Sequence, residues 1–360
     1  MRILSVAAAL LLGLSHTVQA TTIDEAVSKI DRLVHQHTED GKFSGTVLIA
    51  KGDEVLYETA TGLASQRFDV PNTLETRFNM GSGTKMFTAI ATLQLVQAGE
   101  LQLTDTLDKY ADESWLPREI SSKIQIQHLL THASGLGSYF TDEFFEASRY
   151  KYKAIEDYKP LVVVDKLEFE PGTDYRYSNN GMLLLGVVIQ SVSGKSYYDY
   201  ISDHIYAPAG MQNSGCFPTD MPFKNVAIGY HATDKSPVGY ASNVVYKPLR
   251  GGPAGGCFSN VHDLQRFANA LTSHKLLDKQ FTDMLFTPKA EFHQEPYGYG
   301  FKVAGTPDDR IVGHSGGFYG VSANLDIYLD RGLMVAVLSN LSSAAHILRP
   351  KIREILATVD

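Results

Sequence analysis

Gly81-Ser82-Gly83-Thr84-Lys85 begins an apolar stretch, residues 84–97, whose spacing predicts a helix that ends at Gly99. A serine and a lysine three residues apart share one face of a helix, so the lysine nitrogen can reach the serine hydroxyl. Burial against a helix can lower the pKa of a lysine until the neutral amine takes a serine proton. A solvent-facing lysine at a small-residue helix start fits the same five residues, so the rest of the chain must decide.

Two further short motifs follow in a fixed order. Tyr177-Ser178-Asn179 comes 95 residues after Ser82, and His314-Ser315-Gly316 comes 137 residues after Tyr177. Serine–lysine, tyrosine–asparagine and histidine–glycine in this order are far more specific together than any one of them alone.

Composition excludes several classes of protein. The chain has 360 residues, 44% of them hydrophobic, which is enough apolar mass for a sizeable core. Its net charge of −8 argues against a nucleic-acid partner. Two cysteines exclude a disulfide scaffold and a four-cysteine zinc site, and no cofactor is indicated. Cys216 and Cys257 fit either a disulfide or two separate buried thiols.

The first twenty residues predict a targeting segment. Arg2, an apolar run over residues 3–14 and the ending Val18-Gln19-Ala20 are typical of a secretory signal peptide cut after Ala20. The run is too short to span a bilayer, and no cysteine follows the cut, so we expect no stable membrane anchor. The expected location is periplasmic or secreted, with residues 21–360 as one catalytic domain.

Elements from both ends of the mature chain predict one sheet. The sequence indicates a helix over residues 23–37, a hairpin over 43–60, strands over 297–303, 310–314, 322–329 and 333–338, and a last helix over 344–357. We therefore expect an α/β (α+β) fold, an antiparallel sheet built from both termini and flanked by helices. Residues 21–79 and 290–360 would form this lobe, and residues 80–289 a mostly helical inserted lobe.

With these motifs the sequence resembles the serine β-lactamase/penicillin-binding protein superfamily. The branch is that of class C β-lactamases, D-Ala-D-Ala carboxypeptidases, D-aminopeptidases and related esterases, and the resemblance covers nearly all of the mature chain. Further matching stretches are Thr76-Arg77-Phe78, Leu129-Leu130-Thr131-His132-Ala133-Ser134-Gly135-Leu136, Phe169-Glu170-Pro171-Gly172, Pro208-Ala209-Gly210-Met211, Ala254-Gly255-Gly256 and Tyr297-Gly298-Tyr299-Gly300-Phe301.

The resemblance implies a β-lactamase/transpeptidase-like fold and a role for each motif residue. Ser82 would be the nucleophile, Lys85 its proton acceptor and Tyr177 a second acid/base group. Asn179 would bind the substrate amide. The backbone N–H groups of Ser82 and Gly317 would form the oxyanion hole. The third motif, His314, Ser315 and Gly316, would bind the substrate.

One departure from the family decides among its activities. Class C β-lactamases carry Lys-Thr-Gly where this chain has His314-Ser315-Gly316. A histidine is mostly neutral at pH 7.5, so carboxylate binding would weaken as pH rises through its pKa. Because the histidine variant occurs in carboxypeptidase-like and aminopeptidase-like members of the family, the resemblance implies a D-Ala-D-Ala carboxypeptidase-like or D-amino-acid peptidase/esterase activity on a small-molecule or peptide substrate. A class C-like β-lactamase and a penicillin-binding or scaffold protein without turnover remain the alternatives, and the acyl donor and oligomeric state stay open.

Three other sequence patterns could indicate functional sites. Gly313-His314-Ser315-Gly316-Gly317 fits the G-x-S-x-G nucleophile elbow, but the alternating residues 322–329 that follow predict a strand, whereas an elbow leads into a helix. His128 and His132 have the spacing of a zinc pair but lack the glutamate of that motif. An aromatic-rich loop fits either the substrate cleft or plain anchoring; its members are Tyr139, Phe140, Phe144, Phe145, Tyr150 and Tyr152.

Overall fold

A computed structural model describes residues 21–236 and 239–359 of the chain. The strands are β1 (Gly45–Lys51), β2 (Glu54–Thr61), β3 (Leu63–Ser65), β4 (Val70–Pro71), β5 (Phe78–Asn79), β6 (Tyr230–Ala232), β7 (Tyr240–Ser242), β8 (Phe258–Ser259), β9 (Lys302–Thr306), β10 (Asp309–Phe318), β11 (Val321–Tyr328) and β12 (Leu333–Ser339). The α-helices are α1 (Ile23–Glu39), α2 (Lys85–Gln97), α3 (Arg118–Ser121), α4 (Ile126–Leu130), α5 (Asp142–Glu146), α6 (Lys159–Val162), α7 (Asn179–Ser193), α8 (Tyr197–Ile201), α9 (Ala207–Ala209), α10 (Val261–Thr272), α11 (Lys279–Phe286) and α12 (Ala344–Leu356).

The main sheet joins strands from both ends of the chain. Its six strands lie in the order β2-β1-β12-β11-β10-β9, and every neighbouring pair is antiparallel. This confirms the predicted fold class, an antiparallel sheet built from both termini with helices on either side. The predicted lobe boundaries at residues 79 and 290 stay a prediction.

Alternating side chains of the sheet supply two separate cores, because successive residues of a strand point to opposite faces. On β1, Val47 and Ile49 pack with α1 and α12, whereas Leu48 and Ala50 belong to the larger core with α2 and α10. This larger core extends through the helices between β5 and β9. Of β10, the even-numbered Val312 faces that core and the odd-numbered Ile311 faces α12.

The predicted helix over residues 84–97 begins one residue later, at Lys85. Before it, Gly81–Thr84 form a 3₁₀ turn, and the Thr84 hydroxyl donates to the Gly81 carbonyl over 3.0 Å. Ser82 therefore lies on a tight turn instead of in the helix, with its side chain at the helix N-terminus. Asn260 caps α10, because its side chain accepts from the backbone N–H of Asp263.

The strand predicted over residues 297–303 was wrong in its position. The observed strand β9 covers Lys302–Thr306, and Gly300 before it has a φ of +70°. Gly298 and Gly300 pack against the backbone of Leu285 and the methyl group of Ala89, so the alternating stretch is a buried turn. Its period of two imitates a strand because glycines and aromatic residues alternate there. The middle of the chain also holds the short strands β3 to β8 besides helix and loop.

Two further predictions concern export and cysteine pairing. The predicted signal peptide, residues 1–20, lies outside the described residues. Across residues 21–236 and 239–359, no helix has the length and apolarity that crossing a membrane requires. The pairing left open by the sequence is a disulfide between Cys216 and Cys257. Cys257 also accepts from the backbone N–H of Met80 over 2.8 Å, so the bridge adjoins the turn that carries Ser82.

Candidate active site

Ser82 and Lys85 meet at the start of α2, as the spacing predicted. The Lys85 Nζ atom lies 3.2 Å from the Ser82 Oγ atom, and the lysine side chain is fully buried. Nζ also lies 2.8 Å from the Asn179 Oδ1 atom and within hydrogen-bonding distance of the Ala254 carbonyl. Both of these oxygens can only accept, so each takes one N–H of the amine.

The electrostatic surroundings of Lys85 favour its neutral form. Burial, and next the positive charge of Lys302, hold the pKa of Lys85 well below its usual range. A neutral amine has two N–H groups and one lone pair. Because Asn179 and Ala254 take both N–H groups, the lone pair is left for the Ser82 hydroxyl. The geometry therefore suits Lys85 as the acceptor of the serine proton.

Tyr177 lies on the other side of Ser82 and remains a neutral phenol. Its side chain hydrogen-bonds with Ser82, and the Lys85 Nζ atom lies 4.8 Å from the centre of its ring. Burial raises the pKa of Tyr177 above its usual range, and the hydrogen bond to Ser82 only partly opposes this. At neutral pH the phenol thus carries a proton that it can pass to a leaving group.

Asn179 is the first residue of α7, and its neighbour Ser178 caps that helix. The Ser178 hydroxyl accepts from the Gly181 N–H over 2.8 Å. This cap turns the Asn179 amide toward the centre of the site, where Oδ1 accepts from Lys85 and Nδ2 donates to Ser138 over 2.9 Å. In this state Asn179 positions Lys85, and its predicted contact with a substrate amide stays a prediction.

Two glycines let strand β10 approach the turn of Ser82. A Cβ atom on Gly316 would lie 1.8 Å from the Met80 carbonyl oxygen and 2.9 Å from the Ser82 nitrogen. A Cβ atom on Gly81 would lie 2.9 Å from the Gly317 nitrogen, and Gly81 has a φ of +49°. Ser82 and Gly317 line the same cleft, so their backbone nitrogens have the neighbourhood that an oxyanion hole requires.

His314 is buried in a chain of hydrogen bonds. The Ser178 N–H donates to His132 Nδ1 over 3.2 Å, so a neutral His132 carries its proton on Nε2 and donates to the Tyr297 hydroxyl, 3.1 Å away. The hydroxyl can then donate to His314 Nε2 over 3.0 Å, and His314 Nδ1 donates to the Ser315 carbonyl over 2.6 Å. Burial, followed by the charges of Lys302 and Lys85, holds the pKa of His314 well below its usual range.

The ring of His314 therefore offers no free nitrogen and no charge to a substrate. Its side chain is 3% exposed and both nitrogens are engaged within the protein. The structure brings His314, Ser315 and Gly316 beside Ser82, as the motifs predicted, but it does not place the histidine where it could hold a carboxylate.

A cation missed by the sequence reasoning lies on the neighbouring strand. Lys302, an exposed residue of β9, pairs in register with Gly313 and donates to the Ser315 hydroxyl over 3.0 Å. Behind it lies Arg349, whose Nε atom is buried without a hydrogen-bond partner among the described residues. Arg353 binds Asp326 through two hydrogen bonds of 2.6 and 2.7 Å. The region beside Ser315 therefore carries excess positive charge.

The two-residue turn Pro307-Asp308 is the sequence feature from which the position of Lys302 could have been predicted. Such a turn predicts a hairpin, and the hairpin register places Lys302 opposite Gly313 on the face of Ser315. The lysine itself belongs to no motif, so the sequence reasoning passed over it.

Some residues of the aromatic loop line the substrate cleft, and others anchor the loop to the protein. Tyr139 and Phe140 line the cleft of Ser82, and Phe140 stacks on Phe318 at the end of β10 with ring centres 5.3 Å apart. Phe144 and Tyr152 are buried and anchor the loop, with ring centres 5.0 Å apart. The two remaining aromatic residues, Phe145 and Tyr150, are exposed next to the cleft.

The competing patterns do not form the sites that they resemble. Ser315 lies inside β10 and is followed by β11, so no strand–turn–helix elbow presents it. His128 Nδ1 accepts from the Gln125 N–H, and His132 belongs to the network of Tyr297. Over the part of the chain that the structure describes, no group of three or more His, Cys, Asp or Glu residues could hold a metal ion.

Comparisons with known proteins identify the family of this chain. The model of the family described as Beta-lactamase matches residues 30–359. Penicillin-binding protein 4* of Bacillus subtilis (strain 168) is 32% identical over 318 residues, which cover 84% of this chain and 69% of the relative. Protein flp of Staphylococcus aureus (strain MW2) is 28% identical over 329 residues, covering 89% of this chain and 64% of flp. The chain thus spans about two thirds of the length of these relatives.

Solved structures give the same result. A penicillin-binding protein from Bacillus halodurans superimposes with a TM-score of 0.81 at 31% identity, covering 89% of this chain and 98% of that chain. The D-amino acid amidase of Ochrobactrum anthropi SV3 superimposes with a TM-score of 0.78 at 23% identity, over 93% and 98% of the two chains, and shares the fold. The chain therefore belongs to the Beta-lactamase family. It is a serine hydrolase and is similar to the penicillin-binding proteins of that family.

Proposed function

We propose that this hydrolase is exported and cleaves peptides, amides or esters of D-amino acids through an acyl-serine intermediate on Ser82. The observation that carries this proposal is the geometry of the fully buried Lys85 amine, whose Nζ atom lies 3.2 Å from the Ser82 Oγ atom while the Asn179 and Ala254 oxygens accept from it. A carboxypeptidase-like reaction on a substrate that ends in D-amino acids, or a related peptidase or esterase reaction, fits this site best.

The acylation step follows from the positions of three side chains. Lys85 takes the proton of the Ser82 hydroxyl while the serine oxygen bonds to the substrate carbonyl carbon. The carbonyl oxygen becomes an oxyanion beside the backbone nitrogens of Ser82 and Gly317. As the oxyanion collapses, the bond to the leaving group breaks and Tyr177 gives that group its proton. Tyr177 regains a proton from Lys85, and a water molecule then releases the acyl group.

Positive charge beside Ser315 supports a leaving group that carries a carboxylate. Lys302 is exposed next to the Ser315 hydroxyl, which itself can donate to a carboxylate oxygen. His314 is neutral and cannot supply the charge. We therefore assign carboxylate binding to Lys302 and Ser315, in place of the histidine that the motif alone suggested.

The comparisons support the proposed D-amino acid substrates, and the disulfide supports the proposed export. Similar proteins include penicillin-binding proteins, and a D-amino acid amidase shares the fold. The Cys216–Cys257 disulfide is typical of an oxidising compartment, which supports a periplasmic or secreted protein.

Covalent labelling tests the nucleophile. A fluorophosphonate or a fluorescent penicillin should attach to Ser82, as located by peptide mass spectrometry, and Ser82→Ala should abolish the label. The matched control Ser315→Ala should still be labelled, because Ser315 lies on a strand and not next to Lys85. An adduct on Ser315 would refute the assignment.

A comparison of rates tests the substrate class. Wild-type enzyme is assayed on a D-Ala-D-Ala peptide, a D-amino acid amide, a p-nitrophenyl ester and a cephalosporin. We expect turnover of at least one D-amino acid substrate or of the ester, and slow turnover of the cephalosporin. A cephalosporin turned over fastest would indicate a class C-like β-lactamase instead. Stoichiometric labelling without any turnover would indicate a penicillin-binding protein that traps its ligand.

A further inference from the structure

Among the described residues, two cations near the cleft, Arg149 and Lys247, have no anionic partner. The guanidinium of Arg149 lies over the rings of Phe144 and Phe145, 4.2 and 5.8 Å from their centres. Its Nε and Nη1 atoms are buried and make no hydrogen bond within the described residues. Lys247 lies 5.4 Å from the centre of the Phe258 ring, and over residues 21–236 and 239–359 its amine has no hydrogen bond or ion pair. Charges without partners in an apolar setting cost free energy.

Both cations line one groove beside the site of Ser82. The groove has about 490 Å³ of space, and its apolar walls include Phe145, Tyr150 and Val245. Lys247 lines this groove and the catalytic cleft as well. The cleft itself has only about 50 Å³ of space. Because Lys247 lines both, the groove offers room for a large group on the reacting side that the cleft itself lacks.

The position of the Lys247 loop near the end of β10 assigns this lysine to the acyl side of the substrate. Its loop is fixed near the end of the strand, where Asn243 donates to the Tyr319 carbonyl over 2.9 Å. Lys302 instead contacts Ser315, which is roughly 10 Å back along the strand from Phe318. If the leaving group lies at Lys302, as in the proposed function, the acyl portion points toward Lys247.

Charges around the groove leave it open to an anion. The carboxylate in its wall, Asp220, already lies 3.8 Å from Lys153. Burial lowers the pKa of Lys247 to about 8, so its amine is mostly protonated near pH 7. Burial also lowers the pKa of Arg149, although an arginine stays protonated at any physiological pH. Both cations line this groove, so an anion bound in it would lie near two side chains that can donate charge-assisted hydrogen bonds.

We propose that Arg149 and Lys247 form a second subsite that binds an anionic group, a carboxylate or a phosphate, on the acyl part of the substrate. The apolar walls fit a short hydrocarbon linker between that anion and the reacting carbonyl. This inference rests on the proposed acyl transfer to Ser82 and adds the charge of the acyl donor. The substrate would then carry one anion at each end, held by Lys302 on one side and by this subsite on the other.

Three matched acyl donors test the subsite. N-propionyl-, N-succinyl- and N-(3-phosphonopropionyl)-D-alanyl thioglycolate share one leaving group and differ in a neutral, carboxylate or phosphonate end. We expect kcat/KM of wild-type enzyme for at least one anionic donor to exceed that for the propionyl donor by about tenfold to a hundredfold, the range of one charge-assisted hydrogen bond. The better of the two anionic donors identifies the group.

Substitutions of Lys247 and Arg149 test whether these residues cause the preference for anionic donors. Lys247→Met and Arg149→Met should each reduce the preference for the anionic donor and leave the rate on the propionyl donor nearly unchanged, whereas Lys247→Arg should keep the preference. The control Lys195→Met removes a lysine that pairs with Asp203 elsewhere, and should change nothing. Equal rates on all three donors would overturn the subsite while the proposed function stands, as would a preference that survives both methionine variants.

A binding experiment keeps the test independent of turnover. In Ser82→Ala, calorimetry compares N-propionyl-, N-succinyl- and N-(3-phosphonopropionyl)-D-alanine. At least one anionic ligand should bind about tenfold or more tightly than the propionyl compound, and Lys247→Met in the same background should remove the difference. Equal affinities of all three overturn the inference. Failure of all three thioesters to turn over would refute only the proposed function.

Discussion

Replacing Lys302 by methionine tests how the enzyme holds a substrate carboxylate. Methionine keeps most of the side-chain length and removes the charge beside Ser315, while the neighbouring backbone pairing of Lys302 with Gly313 can persist. The expected loss is restricted to substrates with a carboxylate on the leaving group. A D-Ala-D-Ala peptide and the same peptide with a C-terminal amide therefore form the matched pair.

The size of the loss follows from the contacts. Lys302 and Ser315 can together offer a carboxylate one charged and one neutral donor. Hydrogen bonds to a charged group contribute about 1.5–3 kcal/mol, which corresponds to about tenfold to a hundredfold in kcat/KM. The carboxylate peptide should lose this factor in the variant, and the amide should lose less than about threefold. Lys279→Met removes an exposed lysine of α11 and serves as the control.

The pH dependence separates Lys302 from His314. Lys302 binds a carboxylate only when protonated, so the preference for the carboxylate peptide should hold at neutral pH and fall as pH rises through the lysine pKa. That pKa lies below its ordinary value, because the amine end is partly buried although the residue as a whole is exposed, and because Arg349 and Arg353 add positive charge nearby. His314 has its pKa well below the usual range and should add no step between roughly pH 5.5 and 8.5. A preference that titrates near pH 6.5, or that survives Lys302→Met, would refute this reasoning.

Three further predictions concern the base, its surroundings and the disulfide. Lys85→Ala should slow acylation by a fluorescent penicillin about 10²- to 10⁴-fold in stopped-flow labelling with the fold intact by circular dichroism, and a near wild-type rate would remove Lys85 as the base. Lys302→Met should move the acidic limb of kcat/KM for the amide peptide to higher pH, because a like charge that lowers the Lys85 pKa is lost; an unmoved limb would contradict the coupling. The double variant Cys216→Ala/Cys257→Ala opens a link across 41 residues and should lower the free energy of unfolding by about 4 kcal/mol in urea titration, so an unchanged midpoint would contradict it.

Much of the fold could be predicted because its elements have regular periods. The hairpin of β1 and β2, the helices α1, α2 and α12, and the strands β10 to β12 all appear near the predicted residues. The exception is the stretch before β9. Its alternating glycines and aromatic residues imitate a strand, but a positive φ at Gly300 and close packing make it a turn. Periodicity reports side-chain spacing, and it cannot detect a backbone that only glycine allows.

The candidate site could be predicted in part for a similar reason. Ser82 and Lys85 are local to one turn of helix, so their spacing alone implies contact. The burial of His314 depends on Tyr297 and His132, which come from other segments, so the sequence offered no sign that the ring would be neutral and enclosed. The position of Lys302 could be predicted only from the register of the hairpin β9–β10. The strand predicted over residues 297–303 gave the wrong register, so Lys302 was not recognised as a site residue.

Three lysines near one serine differ in function because they differ in burial and in partners. Lys85 is fully buried with two carbonyl oxygens and no carboxylate, so the neutral amine is its stable form and it can act as a base. Lys302 is exposed beside a hydroxyl and retains its charge, and that charge helps to keep Lys85 deprotonated. Lys247 is partly buried on an aromatic ring and loses only some of its basicity. A bound carboxylate would offset the charge of Lys302 and make Lys85 a stronger base at the moment when Ser82 must lose its proton. The Lys302 charge that holds an anionic substrate in the proposed reaction therefore also sets the basicity of Lys85.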